Sequence, residues 1–111
     1  GRMDEQGIGQ AIASAHAAFP AWAARPVDER AAILEHAAAL IEAHRDPLMA
    51  LLADEAGKTV MDAVAEIREA ADFCRYYALQ ARRMMVPQAL AGPTGESNLL
   101  SLHPRGVFGC I

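Results

Sequence analysis

The sequence predicts a mainly α chain of about four helices that ends in short β-strands. Three observations carry this. The longest apolar periodicity, from Val60 to Ala81, advances in steps of three and four, which stack on one face of an α-helix. Proline and glycine punctuate such runs at Pro20, Pro26, Pro47, Gly57 and Pro87. After Pro87 the composition turns to Gly, Pro, Ser and Asn, followed by two short apolar runs. The division is residues 1–86 helical, 87–98 a turn-rich loop and 99–111 strands, within a single partial domain.

The first helix carries Ile8, Ala11, Ile12, Ala15, Ala18 and Phe19 on one face and is expected to end near Pro20, because proline disfavours helical geometry in the residue before it. Trp22 then falls in a connection, capping the core between this helix and the next. Pro26 suits a first helical turn, with Asp28 and Glu29 at the positive end of the second helix. Ile33, Leu34, Ala37, Ala38, Leu40 and Ile41 form its apolar face, fading at His44-Arg45. Asp46 and Pro47 read as N-cap and first residue of a third helix holding Leu48, Met49, Leu51 and Leu52, and Gly57 closes it. Thr59 caps the fourth, with Asp62 completing a variant of the capping box. From Thr59 to Met84 that helix would run about 39 Å at roughly 1.5 Å per residue. Leu99–His103 and Val107–Ile111 are the strands, around Pro104-Arg105-Gly106. The second is apolar throughout, as a strand buried on both faces should be, yet has no neighbours in the sequence. The chain is therefore expected to be a piece of something larger, and Gly1-Arg2, without an initiator Met, to be a scar or an internal cut.

At 111 residues and 53% apolar content, burial of a little over ~60% of the unfolded surface is expected, although much of the apolar share is Ala. The net charge of −4 comes from acids and bases that alternate, so neither a nucleic-acid groove nor an anionic membrane surface is implied. No apolar run reaches the ~18 residues of a membrane helix, and the N-terminus lacks a secretory pattern. Cys74 and Cys110 are too isolated for a disulfide framework and suggest reduced thiols in a cytoplasmic setting.

Few motifs carry chemistry. Gly57-Lys58-Thr59 resembles the end of a phosphate-binding loop, but Leu52 stands where the earlier glycine belongs and a helix precedes it where a strand is needed. His16, His36, His44 and His103 lack partners at ligand spacing, so no metal site is expected. Cys74 reads as a small buried apolar residue and Cys110 as part of a buried strand, neither of them a nucleophile. On the long helix, Arg68 and Asp72 can pair four residues apart. Glu66, Glu69, Phe73 and Tyr76 form a separate stripe, two carboxylates leading into two rings. Periodicity alone favours a solvated face, while a wall for a cationic ligand is the sharper alternative.

Ala18-Phe19-Pro20-Ala21-Trp22, Arg30-Ala31-Ala32-Ile33-Leu34, Glu55-Ala56-Gly57-Lys58-Thr59, Ala63 to Ala78 and Pro104-Arg105-Gly106-Val107 together resemble the N-terminal region of the aldehyde dehydrogenase superfamily. Glu69 to Ala78 and Gly92 to Asn98 are similar, within it, to the L-glutamate γ-semialdehyde (Δ1-pyrroline-5-carboxylate) dehydrogenase module of bacterial bifunctional proline-catabolic enzymes. The resemblance implies a fragment of an α/β fold. Its parent would oxidise the semialdehyde to glutamate with NAD, with FAD added if a proline dehydrogenase domain precedes it. It also implies that the fragment alone is inactive and binds no cofactor: the asparagine-bearing segment that stabilises the oxyanion would follow Ile111, and the cofactor lysine, base and cysteine nucleophile lie further on. No catalytic residue is assigned here. Ile111 corresponds to the end of the first nucleotide-binding strand and is the cofactor-side candidate. Glu69 lies on the helix bordering the aldehyde entry tunnel and is the substrate-side candidate, a carboxylate for the α-ammonium of the semialdehyde. The implied partner is the remainder of the module, with a homo-oligomer as a further arrangement. Two alternatives stand beside this: a fragment of another aldehyde dehydrogenase, such as one for succinate semialdehyde, or a free-standing helical interaction module.

Overall fold

A computed structural model describes residues 4–110. Four helices, α1 (Glu5–Ala24), α2 (Val27–Ala43), α3 (Arg45–Ala56) and α4 (Val60–Met84), lead into two strands, β1 (Gln88–Leu90) and β2 (Asn98–Leu100). The expected mainly helical architecture ending in short strands is what the chain adopts, but several boundaries differ.

Helix α1 starts at the Asp4 cap, whose carboxylate accepts a hydrogen bond from the Gly7 N–H at 2.8 Å. It does not stop at Pro20. A proline within a helix removes one N–H and disfavours helical geometry before it, yet the alanines on both sides are strong helix formers and carry the helix to Ala24. Trp22 is therefore a helical residue rather than part of a connection. The stop comes at Arg25, where the chain turns extended ahead of Pro26. Pro26 itself is the N-cap of α2 rather than its first-turn residue.

The start of α3 also shifts. His44 is the cap, so Asp46 and Pro47 lie inside the first turn, where Asp46 still meets the positive helix end. Gly57 closes α3 with φ +63°, the left-handed geometry that glycine adopts without steric cost, and its N–H returns to the Ala53 and Leu52 carbonyls. The cap of α4 is as expected: Thr59 Oγ1 accepts from the Asp62 N–H at 3.2 Å. The reciprocal half of the box is replaced by the Thr59 hydroxyl donating to the Asp62 carboxylate at 2.7 Å.

Helix α2 runs along α4, which also receives α3. The fully buried positions are Ala31, Ala38, Ala63, Ile67, Ala71 and Ala78. Small side chains let the helix backbones approach closely, and two bidentate ion pairs fix the register. Arg82 grips Glu35 at 2.5 and 2.9 Å, and Arg75 grips Glu42 at 2.8 and 2.5 Å. The partners step seven residues along each helix in opposite directions, the repeat of an antiparallel coiled-coil seam. Arg82 also reaches Asp28 at 3.2 Å. The hydrogen bonds from Arg82 and Arg75 hold the Glu35 and Glu42 carboxyls below the ordinary range, with partial desolvation opposing them.

The C-terminal region departs most from expectation. The strands pair as an antiparallel hairpin, Gln88 opposite Leu100 and Leu90 opposite Asn98, across a turn in which the Glu96 N–H reaches the Pro93 carbonyl and Gly95 takes φ +93°. The run from Gln88 to Leu90, expected as loop, is thus a strand, because Asn98–Leu100 supplies its ladder. Residues 101–110 form neither helix nor strand, and Phe108 is 75% exposed. The expected strand from Val107 has no neighbouring strand to pair with among the described residues, and an apolar run without a ladder partner does not become one. Ile111 lies outside the described residues. Cys110, expected buried with that strand, is exposed, and Cys74 is half-buried.

Candidate functional site

The caps and core of α4 decide what its outer face presents. With Ala63, Ile67, Ala71 and Ala78 turned inward, Glu66, Glu69, Phe73 and Tyr76 are exposed. The four do not act as one stripe. Lys58, held beside α4 by the Gly57 turn, donates to Glu66 at 2.6 Å, which raises the Lys58 pKa and occupies the first carboxylate. Glu69 makes no hydrogen bond or ion pair among the described residues. Glu69 lines an open groove of about 480 Å³ with Met61, Val64, Arg68, Asp72 and Phe73. Tyr76 faces away, into a second groove. Phe73 stacks on Tyr77 at 5.9 Å between centroids, and Tyr77 meets Tyr76 edge-on at 5.2 Å, so a continuous aromatic group separates the two grooves.

The Glu69 groove carries two carboxylates and one guanidinium. The expected Arg68–Asp72 pair does not form; Asp72 instead stands 3.9 Å from Arg75, which is committed mainly to Glu42. A free carboxylate beside an aromatic face is a fitting partner for an alkylammonium group, through charge and through the ring quadrupole. The groove contains no nucleophile or histidine, and no cluster of metal-ligating side chains occurs among the described residues. It can bind and orient a ligand but holds no group that would transform one.

The second groove, also about 480 Å³, lies between α2 and the C-terminal half of α4 and is almost wholly apolar. Trp22 forms part of its wall and is 45% exposed, so it borders an open groove rather than capping a closed core. The Arg25 guanidinium sits 5.9 Å from its ring centroid. Arg30 also lines this groove, and its Nε is buried without a hydrogen-bond partner. The sequence expectations give Arg30 no role beyond the family resemblance. A signal was present: Val27, Arg30 and Leu34 recur at steps of three and four, placing one cation within an apolar row.

The described residues thus form a helical layer with one unpaired carboxylate on an open groove and a second groove that is almost wholly apolar. The chain belongs to the aldehyde dehydrogenase family, whose model matches residues 1–111. Within the family it is similar to the bifunctional protein PutA of Klebsiella aerogenes, 53% identical over 75 residues, which are 68% of this chain and 6% of that protein. A crystal structure of a bifunctional proline utilization A (PutA) protein matches 96% of this chain and 11% of its own, with a TM-score of 0.87 and 47% identity. A putative NADP-linked succinate-semialdehyde dehydrogenase of Mycolicibacterium smegmatis is 40% identical over 106 residues, 94% of this chain and 20% of that protein. The chain thus spans a fifth or less of these curated relatives. Its helices and hairpin match a fragment of the aldehyde dehydrogenase fold. No helix among the described residues is long and apolar enough to cross a membrane.

Proposed function

We propose that this chain is the substrate-facing helical wall of an NAD-dependent L-glutamate γ-semialdehyde dehydrogenase acting in proline catabolism, a single domain completed by the rest of its module. The observation that carries the reading is Glu69, an unpaired carboxylate beside Phe73 on the exposed face of α4. The semialdehyde bears an α-ammonium that simple aldehydes lack, and Glu69 would hold it while the aldehyde end points towards reacting groups elsewhere in the polypeptide. Net reaction converts aldehyde and water to carboxylate, two electrons passing to NAD. The Gly57 turn before α4 follows a helix rather than a strand, and Lys58 is engaged by Glu66, which supports placing the dinucleotide elsewhere. NAD is therefore assigned to the remainder, with Ile111 at its edge, and a flavin only to a proline dehydrogenase domain, should the polypeptide have one. The chain alone is inactive in this reading, and its setting is cytoplasmic.

The test is substitution of Glu69 in the complete polypeptide. Glu69→Ala and Glu69→Gln should raise KM for glutamate semialdehyde by about tenfold, of order 1.4 kcal/mol, as expected for a charge-assisted hydrogen bond. KM for an uncharged aldehyde should stay within about twofold of wild type. Equal effects on both substrates would remove Glu69 from substrate recognition. A second reading, a succinate semialdehyde dehydrogenase, is favoured by the longer match to the mycobacterial relative. Succinate semialdehyde lacks the ammonium and carries a carboxylate, so on that reading Glu69→Gln would leave its KM unchanged or lower it.

A further inference from the structure

We infer that Phe73 is a positioning residue of the semialdehyde site: held from behind by Tyr77, its ring limits the sweep of the Glu69 side chain and keeps the carboxylate where the ammonium meets it. Glu69, Phe73 and Tyr77 follow one another at steps of four on α4, so they form a single ridge in which each side chain neighbours the one a turn before it. Long side chains on a helix lean towards its N-terminus, over the residue three or four positions earlier. Tyr77 therefore leans onto Phe73, and the two rings stack at 5.9 Å between centroids with an interplanar angle of 30°. Tyr76 meets Tyr77 edge-on at 5.2 Å and steadies the backing ring in turn. Phe73, by the same rule, leans over the turn that carries Glu69, and both residues line the one groove. The ridge is asymmetric about Glu69. On its C-terminal side stands a ring that is itself held, while on its N-terminal side the row continues with Ala65, a small residue that leaves the groove open.

The consequence is one of pre-organisation. A solvated glutamate samples many rotamers, and fixing it when a ligand binds costs free energy. Lys58 fixes Glu66, but no hydrogen bond or ion pair among the described residues fixes Glu69, so its order depends on packing. Phe73 is the large side chain next to it on the ridge. A ring there removes the rotamers that would swing the carboxylate towards the C-terminal end of α4. It also excludes water from one side of the ion pair that Glu69 forms, where the attraction is then stronger. A leucine would keep the apolar character without the flat surface that stacks on Tyr77.

This inference rests on the reading of Glu69 as the partner of the ammonium, and its test separates the two. KM and kcat are measured in the complete polypeptide for glutamate semialdehyde and for pentanal, an uncharged aldehyde, in wild type, Phe73→Leu, Glu69→Gln and the double variant. Phe73→Leu should raise KM for the semialdehyde about fivefold, of order 1 kcal/mol, within the range of couplings between neighbouring side chains. Its kcat, and its KM for pentanal, should stay within about twofold of wild type, the signature of lost binding rather than lost chemistry. In the Glu69→Gln background the same substitution should change the semialdehyde KM by less than about twofold, because the group it acts through is gone. Phe73→Tyr, which keeps the ring, should recover most of the loss. Tyr77→Leu, which removes the backing ring, should raise the semialdehyde KM about threefold, again only where Glu69 is present, and carries the test if Phe73→Leu does not fold. Equal KM rises for both aldehydes, or a rise of the same size in the Glu69→Gln background, would make Phe73 a packing residue and overturn the inference with the role of Glu69 intact. Glu69→Gln without a selective effect on the semialdehyde would end both.

Discussion

Two carboxylates one helical turn apart on α4 have different fates, and the difference arises from a glycine. Gly57 turns the chain through φ +63° at the end of α3 and brings Lys58 back to Glu66, leaving Glu69 as the open acid of the pair. The sequence shows both acids on one face, and the resemblance to the aldehyde dehydrogenases singles out Glu69. That Lys58 neutralises Glu66 is not legible from periodicity, since their eight-residue separation spans a turn. Gly57 is itself testable. Alanine there would meet no neighbouring atom but would be forced into left-handed geometry. Gly57→Ala should cost about 1 kcal/mol in the left-handed position, read as a lower midpoint in urea with an unchanged slope.

At the scale of elements, the α2–α4 pair is the main seam among the described residues, and its parts were unevenly visible in the sequence. The apolar steps of both helices announce that they are amphipathic; which faces meet is fixed by pairing acids on α2 with arginines on α4, and no local pattern couples residues so far apart. Helix ends failed for a related reason. Pro20 is a valid local signal that the alanine-rich flanks of α1 outweighed, and α3 begins one residue before Asp46, at Arg45, with no side-chain capping bond from His44. Ala38 is fully buried, and its neighbour Ala39 is exposed. Ala38→Leu should destabilise the chain by about 1–3 kcal/mol through overpacking, whereas Ala39→Leu should shift the thermal midpoint little. The ion pairs predict a pH dependence. Folding lowers the pKa of Glu35 and Glu42, so their contribution is complete above the ordinary glutamate value of about 4.3 and is lost as pH falls through it to the lowered values. Thermal midpoints followed by circular dichroism should be flat from about pH 6 to 9 with respect to these groups and fall below about pH 4.5, and the double substitution Glu35→Gln with Glu42→Gln should flatten that fall.

The whole molecule is open. Its radius of gyration is 19.0 Å over extents of 63 × 37 × 20 Å, against about 13 Å for a compact domain of this length. The expectation of ordinary burial for 111 residues was wrong: the core is alanine with one isoleucine, and no residue of α1 is buried. The sequence did carry a warning in its alanine content and in an apolar C-terminal run with no strand to pair with. The isolated chain should therefore self-associate, its sedimentation coefficient rising with concentration. Fold class was legible because helix periodicity is local. The proposed role of Glu69 comes only from family resemblance, since an exposed acid on a solvated face has no pattern of its own. Assaying the complete polypeptide for NADH formation on glutamate semialdehyde and succinate semialdehyde side by side decides whether the proposed enzyme acts on an ammonium-bearing semialdehyde. If it does, kcat/KM is at least about a hundredfold higher for glutamate semialdehyde, of order 2.7 kcal/mol of discrimination, and a preference for succinate semialdehyde would refute the proposal.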